Sequence, residues 1–183
     1  MKNYLLPLFI LFITTIACEQ DSIDITDSFK SENGLTYNES LDNWNNLKSV
    51  HGNSYSYQVP NYSWTGNSST TTITVQNGIV IAREYESLKP NEPGLQPEFI
   101  ESITYQENKS ELGTHEFGAD IKTIDDYYND CSTKYLTVDQ ETNMLTLSTD
   151  QTGMITSCGY TPENCADDCY RGITIKNFEW TKQ

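Results

Sequence analysis

Basic residues are scarce in this 183-residue chain: Lys and Arg number 11 against 26 Asp and Glu, for a formal net charge of −15 at pH 7. A surface so short of cations excludes nucleic acid and anionic lipid headgroups as partners, because both are bound by clustered Lys and Arg. Histidine is scarcer still. His51 and His115 are the only two, each in a polar, loop-like stretch, and there is no Gly-x-Ser-x-Gly elbow, His-Glu-x-x-His helix or phosphate-binding glycine loop. No nucleophile and base pair can be assembled from this inventory, so no catalytic residue and no cofactor are assigned.

Only one long apolar run is present. It covers residues 5–17, follows Lys2 closely, is interrupted by Thr14 and Thr15, and ends at Cys18. As a helix it would rise about 20 Å, whereas a bilayer's hydrocarbon core needs about 30 Å, so it is too short to stay as a span. A basic start, an apolar core and a small residue before the cut describe a signal peptide. Thr15-Ile16-Ala17-Cys18 resembles a lipobox, with Thr15 where Leu is usual. The resemblance implies cleavage before Cys18 and acylation of its thiol, the strong nucleophile among common side chains. It also implies a bacterial lipoprotein attached to a membrane through its N-terminal lipid. Glu19 and Gln20 stand where Asp would resemble an inner-membrane retention signal, which favours the outer membrane, on its periplasmic face or at the cell surface.

The chain then divides into a signal peptide (1–17), an acidic flexible tether (18–36) carrying Asp21, Asp24, Asp27 and Glu32 against Lys30, and a single domain (37–183). Leu41, Trp44 and Leu47 at three-residue spacing predict a short helix over 38–48 behind an Asn38 cap. Tyr55, Tyr57 and Val59 alternate with polar residues and predict a strand that Pro60 ends. Runs 70–76 and 79–85 flank Asn77-Gly78, the signature of a tight type I′ hairpin. Residues 88–97 read as loop and 98–105 as a further strand. Thr123 followed by Asp126 resembles a capping box and opens a helix to about residue 130, with Ile124 and Tyr127 inward. Strands are predicted at 135–138, 144–148, 154–157 and 172–180. This order predicts an α+β fold, an antiparallel sheet with two short helices packed on one face.

Beyond Cys18 there are four cysteines, Cys131, Cys158, Cys165 and Cys169. In an exported chain they predict two disulfides holding a cysteine-rich loop to the second helix, with the pairing left open. A four-cysteine zinc site is the alternative, but no Cys-x-x-Cys knuckle is present, and only Arg171 stands near enough to stabilise a reactive thiolate. Glu163, Asp167 and Asp168, and separately Asp139, Glu141 and Asn143, offer oxygens for calcium. Neither set matches an EF-hand loop, so they are read as solvated carboxylates on turns and no metal is assigned. Glu84 and Glu86 share one face of a strand, the pattern a carboxylate-dependent hydrolase of envelope polymers would need. Tyr62 and Trp64 follow Pro60 in a Ser/Asn/Gly loop, where they would either project a flat ligand-facing surface or pack on the sheet rim.

The Trp44 helix, the Tyr55-x-Tyr57 strand, the Val75-x-Asn77-Gly78 hairpin and Thr123-Ile124-Asp125-Asp126 together resemble an uncharacterised domain family of bacterial lipoproteins. The similarity covers residues 41–180 and departs at the 158–169 cysteine segment. It implies no catalytic residues. The expectation is a lipid-anchored, non-enzymatic envelope module that binds a protein or glycan; an inhibitor or immunity-type lipoprotein presenting the cysteine loop is the alternative.

Overall fold

A computed structural model describes residues 24–64, 66–90, 99–167 and 169–181. The signal peptide, Cys18, residues 91–97 of the stretch read as loop and Asp168 lie outside the described residues; residues 88–90 of that stretch are strand, paired with residues 99–101. The fold is α+β, with a dominant antiparallel sheet and short helices against it. Among the described residues no helix is long and apolar enough to cross a membrane.

Of the stretch read as a tether, residues 24–36 lie against the domain. Asp24 caps a single turn, α1 (Ile25–Ser28), by accepting from the Thr26 N–H. Ile25 and Phe29 pack on the core, and Lys30 bridges to Thr36. Helix α2 (Tyr37–His51) starts one turn-position earlier than expected and runs longer. Its cap is Thr36, not Asn38: Thr36 accepts from the Glu39 N–H while Glu39 returns to the Thr36 N–H, so two otherwise orphaned donors are satisfied reciprocally. Leu41, Trp44 and Leu47 face the core as the spacing implied, and Trp44 is fully buried. His51, expected in a loop, is the last residue of α2 and stacks on Trp180 at 5.0 Å.

Two sheets form where one was expected. The five-stranded sheet has the order β4-β3-β2-β1-β8, from β1 (Tyr55–Tyr62), β2 (Ser68–Gln76), β3 (Ile79–Pro90), β4 (Phe99–Asn108) and β8 (Lys176–Trp180). The three-stranded sheet is β5 (Asn143–Thr149), β6 (Ile155–Pro162) and β7 (Arg171–Thr174), in that order. The β2–β3 hairpin closes through Asn77 and Gly78 at φ of 51° and 76°, the pair of positive values that a type I′ turn demands.

Strand β1 does not stop at Pro60. Its ladder to β2 continues from Tyr55 opposite Val75 to Tyr62 opposite Ser68. On its other side β8 pairs only with residues 55–58, so the missing N–H of Pro60 falls where no β8 partner remains. The expected strand at 135–138 is also absent. Helix α3 (Ile124–Asp130), opened by the Thr123–Asp126 capping box, runs on into a π-helical turn at Cys131–Tyr135. The run 172–180 splits instead of forming one strand. The Ile175 N–H still bonds the Thr156 carbonyl in the small sheet at 2.7 Å, while Lys176 is already opposite Gln58 in the large one. Asn177, at φ 48°, turns the chain between them.

The core is built on tyrosine and tryptophan. Trp44 meets Tyr55 edge-on at 5.3 Å and stacks on Trp180 at 5.6 Å, and Tyr57 meets Tyr127 at 5.9 Å. Buried phenols also carry hydroxyls that must find partners. The Tyr55 hydroxyl accepts from the first N–H of α3 (3.0 Å). The Tyr128 hydroxyl accepts from the Ile155 N–H (2.9 Å) and donates to the Ser40 carbonyl (3.1 Å), joining α3, α2 and β6 at one atom.

Both disulfides are present. Cys131–Cys158 joins the turn after α3 to β6 with both residues fully buried, and Cys165–Cys169 closes a short exposed loop on itself. The loop is therefore not tied to the helix directly; β6 is. With its partners 27 positions apart, the buried bridge removes about 3.5 kcal/mol of chain entropy from the unfolded state, against about 2 kcal/mol for a separation of 4. Mild reductant followed by alkylation and mass spectrometry should label Cys165 and Cys169 first. Cys131 and Cys158 should be labelled only where the protein unfolds, and simultaneous labelling of all four in native buffer would contradict this order.

Candidate functional site: an aromatic cleft between the sheets

The large sheet carries its inner face as registered rows. One row runs Tyr57, Ile73, Arg83, Glu107 across β1 to β4, and the next runs Val59, Thr71, Tyr85, Tyr105. Helices α2 and α3 cover the β1 and β8 end of this face. The β3 and β4 end is covered instead by the segment 109–122, which folds back over the sheet.

Arg83 and Glu107 hold that segment down. Both are buried, and they pair bidentately, Nε to Oε2 and Nη2 to Oε1, each at 2.8 Å. Glu107 also accepts from the backbone N–H groups of Gly113 and His115, both at 2.8 Å. Arg83 donates outward to the His115 carbonyl at 2.8 Å and the Ala119 carbonyl at 3.2 Å. The His115 ring lies 3.1 Å from Glu107 and stacks on Tyr105 at 4.1 Å. Further along, Tyr105 donates to the Phe117 carbonyl, and the Thr71 hydroxyl accepts from Ala119 at 2.9 Å. Gly118 sits between these contacts at φ 97°; a Cβ there would come within 3.1 Å of the Tyr105 hydroxyl and 3.2 Å of Tyr85.

Between this wall, the inner face of β1–β3 and the small sheet lies a cleft of about 450 Å³. Tyr85 and Phe117 form one side, with ring centroids 6.4 Å apart. Tyr127 comes from α3, Tyr135 from the π-helical turn, and Tyr170 from the position just before β7. Asn61, Ser69, Thr71 and Thr174 supply amide and hydroxyl groups. Tyr170 stays in place because Gly159 and Gly172, paired across β6 and β7, leave room for its ring, and its hydroxyl hydrogen-bonds Ser157 at 2.7 Å and the Ile173 carbonyl at 2.9 Å. Pro60, Asn61, Tyr170 and Thr174 also line a second hollow of about 560 Å³, bordered by Tyr62, Ser63 and Lys176, so the two adjoin at these four residues along the edge of β1 and are together called the groove.

Charge in the groove is nearly balanced. Lys122 reaches Asp120 (2.7 Å) and Asp130 (2.8 Å); burial opposes its ammonium, but these two carboxylates hold its pKa above the ordinary lysine value. Burial pushes the Tyr127 phenol up to about 12 and also raises Tyr170, so both stay protonated and neutral.

Tyr62 and Trp64 are 65% and 79% exposed, with Tyr62 on the second hollow. Glu84 and Glu86 alternate with Arg83 and Tyr85 and so lie on the opposite, solvent face of β3, where Glu84 accepts from Gln106. Asp139 Oδ1 accepts from the Glu141 N–H and its carbonyl from the Asn143 side chain, a turn leading into β5. Among the described residues no group of His, Cys, Asp or Glu is arranged to hold a metal ion. The sequence reading missed Tyr85, Phe117, Tyr135, Tyr170 and Lys176. Phe117-Gly118 and Tyr170-x-Gly172, an aromatic next to or one residue before a glycine, are local signals that mark two of them. The chain matches no family model, no curated protein and no solved structure.

The Arg83 hydrogen bonds, together with the Gly113 and His115 amides, hold the Glu107 carboxyl well below its ordinary value of 4.5. The sign of its linkage follows. The carboxylate's stabilisation is complete above about pH 4.5 and is lost as pH falls through the depressed folded-state value. Glu107→Gln should therefore lower stability at neutral pH by about 3 kcal/mol, since it leaves Arg83 buried without its counter-charge. The variant should also have a flatter acid limb than the native protein in urea unfolding between pH 7 and the acid range. Equal acid limbs would refute the assignment.

Proposed function

We propose that this chain is a lipid-anchored module of the bacterial cell envelope, held at the outer membrane by Cys18, that binds a glycan in the cleft between its sheets. The observation that carries the reading is the lining of the groove. Neutral aromatic faces stand beside amide and hydroxyl groups, and three exposed rings line it, Phe117 at 52%, Tyr62 at 65% and Tyr170 at 39% exposure, while Trp64 stands outside. Sugar rings present C–H faces that pack on aromatic rings and an equatorial fringe of hydroxyls that needs donors and acceptors beside them. An apolar peptide anchor would call for a deeper aliphatic pocket, whereas Val59 and Ile173 are the aliphatic side chains of this lining.

Anchoring is supported by the apolar run, the small residue before Cys18 and the acidic residues after it. Two or more acyl chains make attachment stable where one is marginal. Expressed in a bacterium that processes lipoproteins, the full chain should incorporate an alkyne-tagged fatty acid and enter the detergent phase on partitioning. Cys18→Ser should abolish both, and labelling that survives the substitution would remove the anchor from the proposal.

Binding is tested by probing the detergent-solubilised full-length chain against an array of envelope and cell-surface oligosaccharides. Retention of at least one oligosaccharide is expected, with affinity lowered about tenfold by Phe117→Ala at unchanged melting temperature, since a stacked ring contributes on the order of 1 kcal/mol beyond its buried area. Retention indifferent to Phe117 would move the binding site elsewhere, and capture of envelope protein alone would replace the glycan with a protein partner.

A further inference from the structure

The groove ends at a lysine that the fold fixes in place. Lys176 is the residue at which the chain leaves the small sheet for the large one. The preceding Ile175 N–H is bonded to Thr156 at 2.7 Å, and Lys176 itself lies opposite Gln58. Its ammonium stands 5.3 Å from the centre of the Tyr62 ring, and Tyr62 is held by the last pair of the β1–β2 ladder, opposite Ser68. Lys122, the other cation on the groove, is committed to Asp120 and Asp130, whereas Lys176 takes part in none of the ion pairs among the described residues. Among the described residues, Asp120 is the single carboxylate lining either hollow.

From this arrangement we infer that the Tyr62–Lys176 end of the groove is a subsite for the carboxylate of an acidic sugar, so that the ligand is a uronate-containing glycan. The inference rests on the glycan reading above and names the substrate class of that site. An ammonium beside an exposed aromatic ring offers a sugar acid both of its requirements, a face for the ring and a counter-charge for the carboxylate. Asn61, on the same hollow, adds an amide beside them. The chain's net charge of −15 does not forbid such a ligand. Repulsion from exposed carboxylates decays over about 8 Å at physiological salt, so the charges lining the groove decide, and among the described residues the uncommitted one there is positive.

The experiment is calorimetric titration of the detergent-solubilised full-length chain with oligomers of galacturonate, of mannuronate and of glucuronate-containing repeats. Each is paired with its carboxyl-reduced, neutral counterpart of the same linkage. The expected result is that at least one acidic oligomer binds about tenfold more tightly than its neutral counterpart. Lys176→Met, which keeps the aliphatic stem, should remove that preference while leaving the neutral oligomer's affinity and the melting temperature unchanged. Added salt should shrink the preference in the native protein only. Equal binding of acidic and neutral forms, or a preference that survives Lys176→Met, would overturn the subsite and leave the glycan reading standing. Failure of every oligosaccharide, neutral ones included, to bind would overturn both.

Discussion

The cleft exists because a buried ion pair holds a long connection against a sheet. Segment 109–122 has few apolar side chains of its own, and it is attached through the Arg83–Glu107 pair. Two charges in a dry interior are tolerable only when their remaining donors and acceptors are also used. Here the spare capacity is used by the connection itself: the carboxylate takes amides of Gly113 and His115, and the guanidinium gives to the carbonyls of His115 and Ala119. The pair is thus less a source of net stability than a template. It fixes where the wall stands, and the wall carries Phe117 to face Tyr85.

Tyrosine plays the corresponding part at the other end of the sheet. An apolar core of leucine and isoleucine would pack α2, α3 and the two sheets without fixing their rotation. Tyr37, Tyr55, Tyr57 and Tyr128 each bury a ring and spend a hydroxyl on backbone of another element. Those directional bonds orient α3 against β1 and join α2 and α3 to β6, with the Cys131–Cys158 bridge as covalent reinforcement. The rings that line the groove are therefore set on a framework that is itself hydrogen-bonded.

What could be read from the sequence follows the range of the interactions. The Asn77-Gly78 hairpin and the Thr123–Asp126 capping box were legible because each is decided within four residues. The α2 cap was misplaced because Asn38 is a good cap in isolation, whereas the reciprocal Thr36–Glu39 bonds place the cap two residues earlier. Pro60 was read as a stop because proline lacks a donor; it is tolerated because β8 has ended by then, which depends on residues more than a hundred positions away. The second sheet was invisible for the same reason, since nothing within 172–180 announces that Thr174 and Lys176 belong to different sheets. Among site residues, Tyr62 was singled out from its loop, but Tyr85, Phe117 and Tyr170 become neighbours only through the long-range contacts just described.

The crossing at Ile175 also bears on the order of assembly. The β2–β3 and β5–β6 hairpins join residues close in sequence, whereas β8 must find β1 across a separation of well over a hundred residues. Loops that long close slowly relative to local hairpins. The groove lies between strands that this closure brings together, so a partly assembled chain has hairpins and helices but no cleft. The cavity and the completed topology arrive in one event, which makes the cleft a product of the last long-range pairing and of none of the local hairpins.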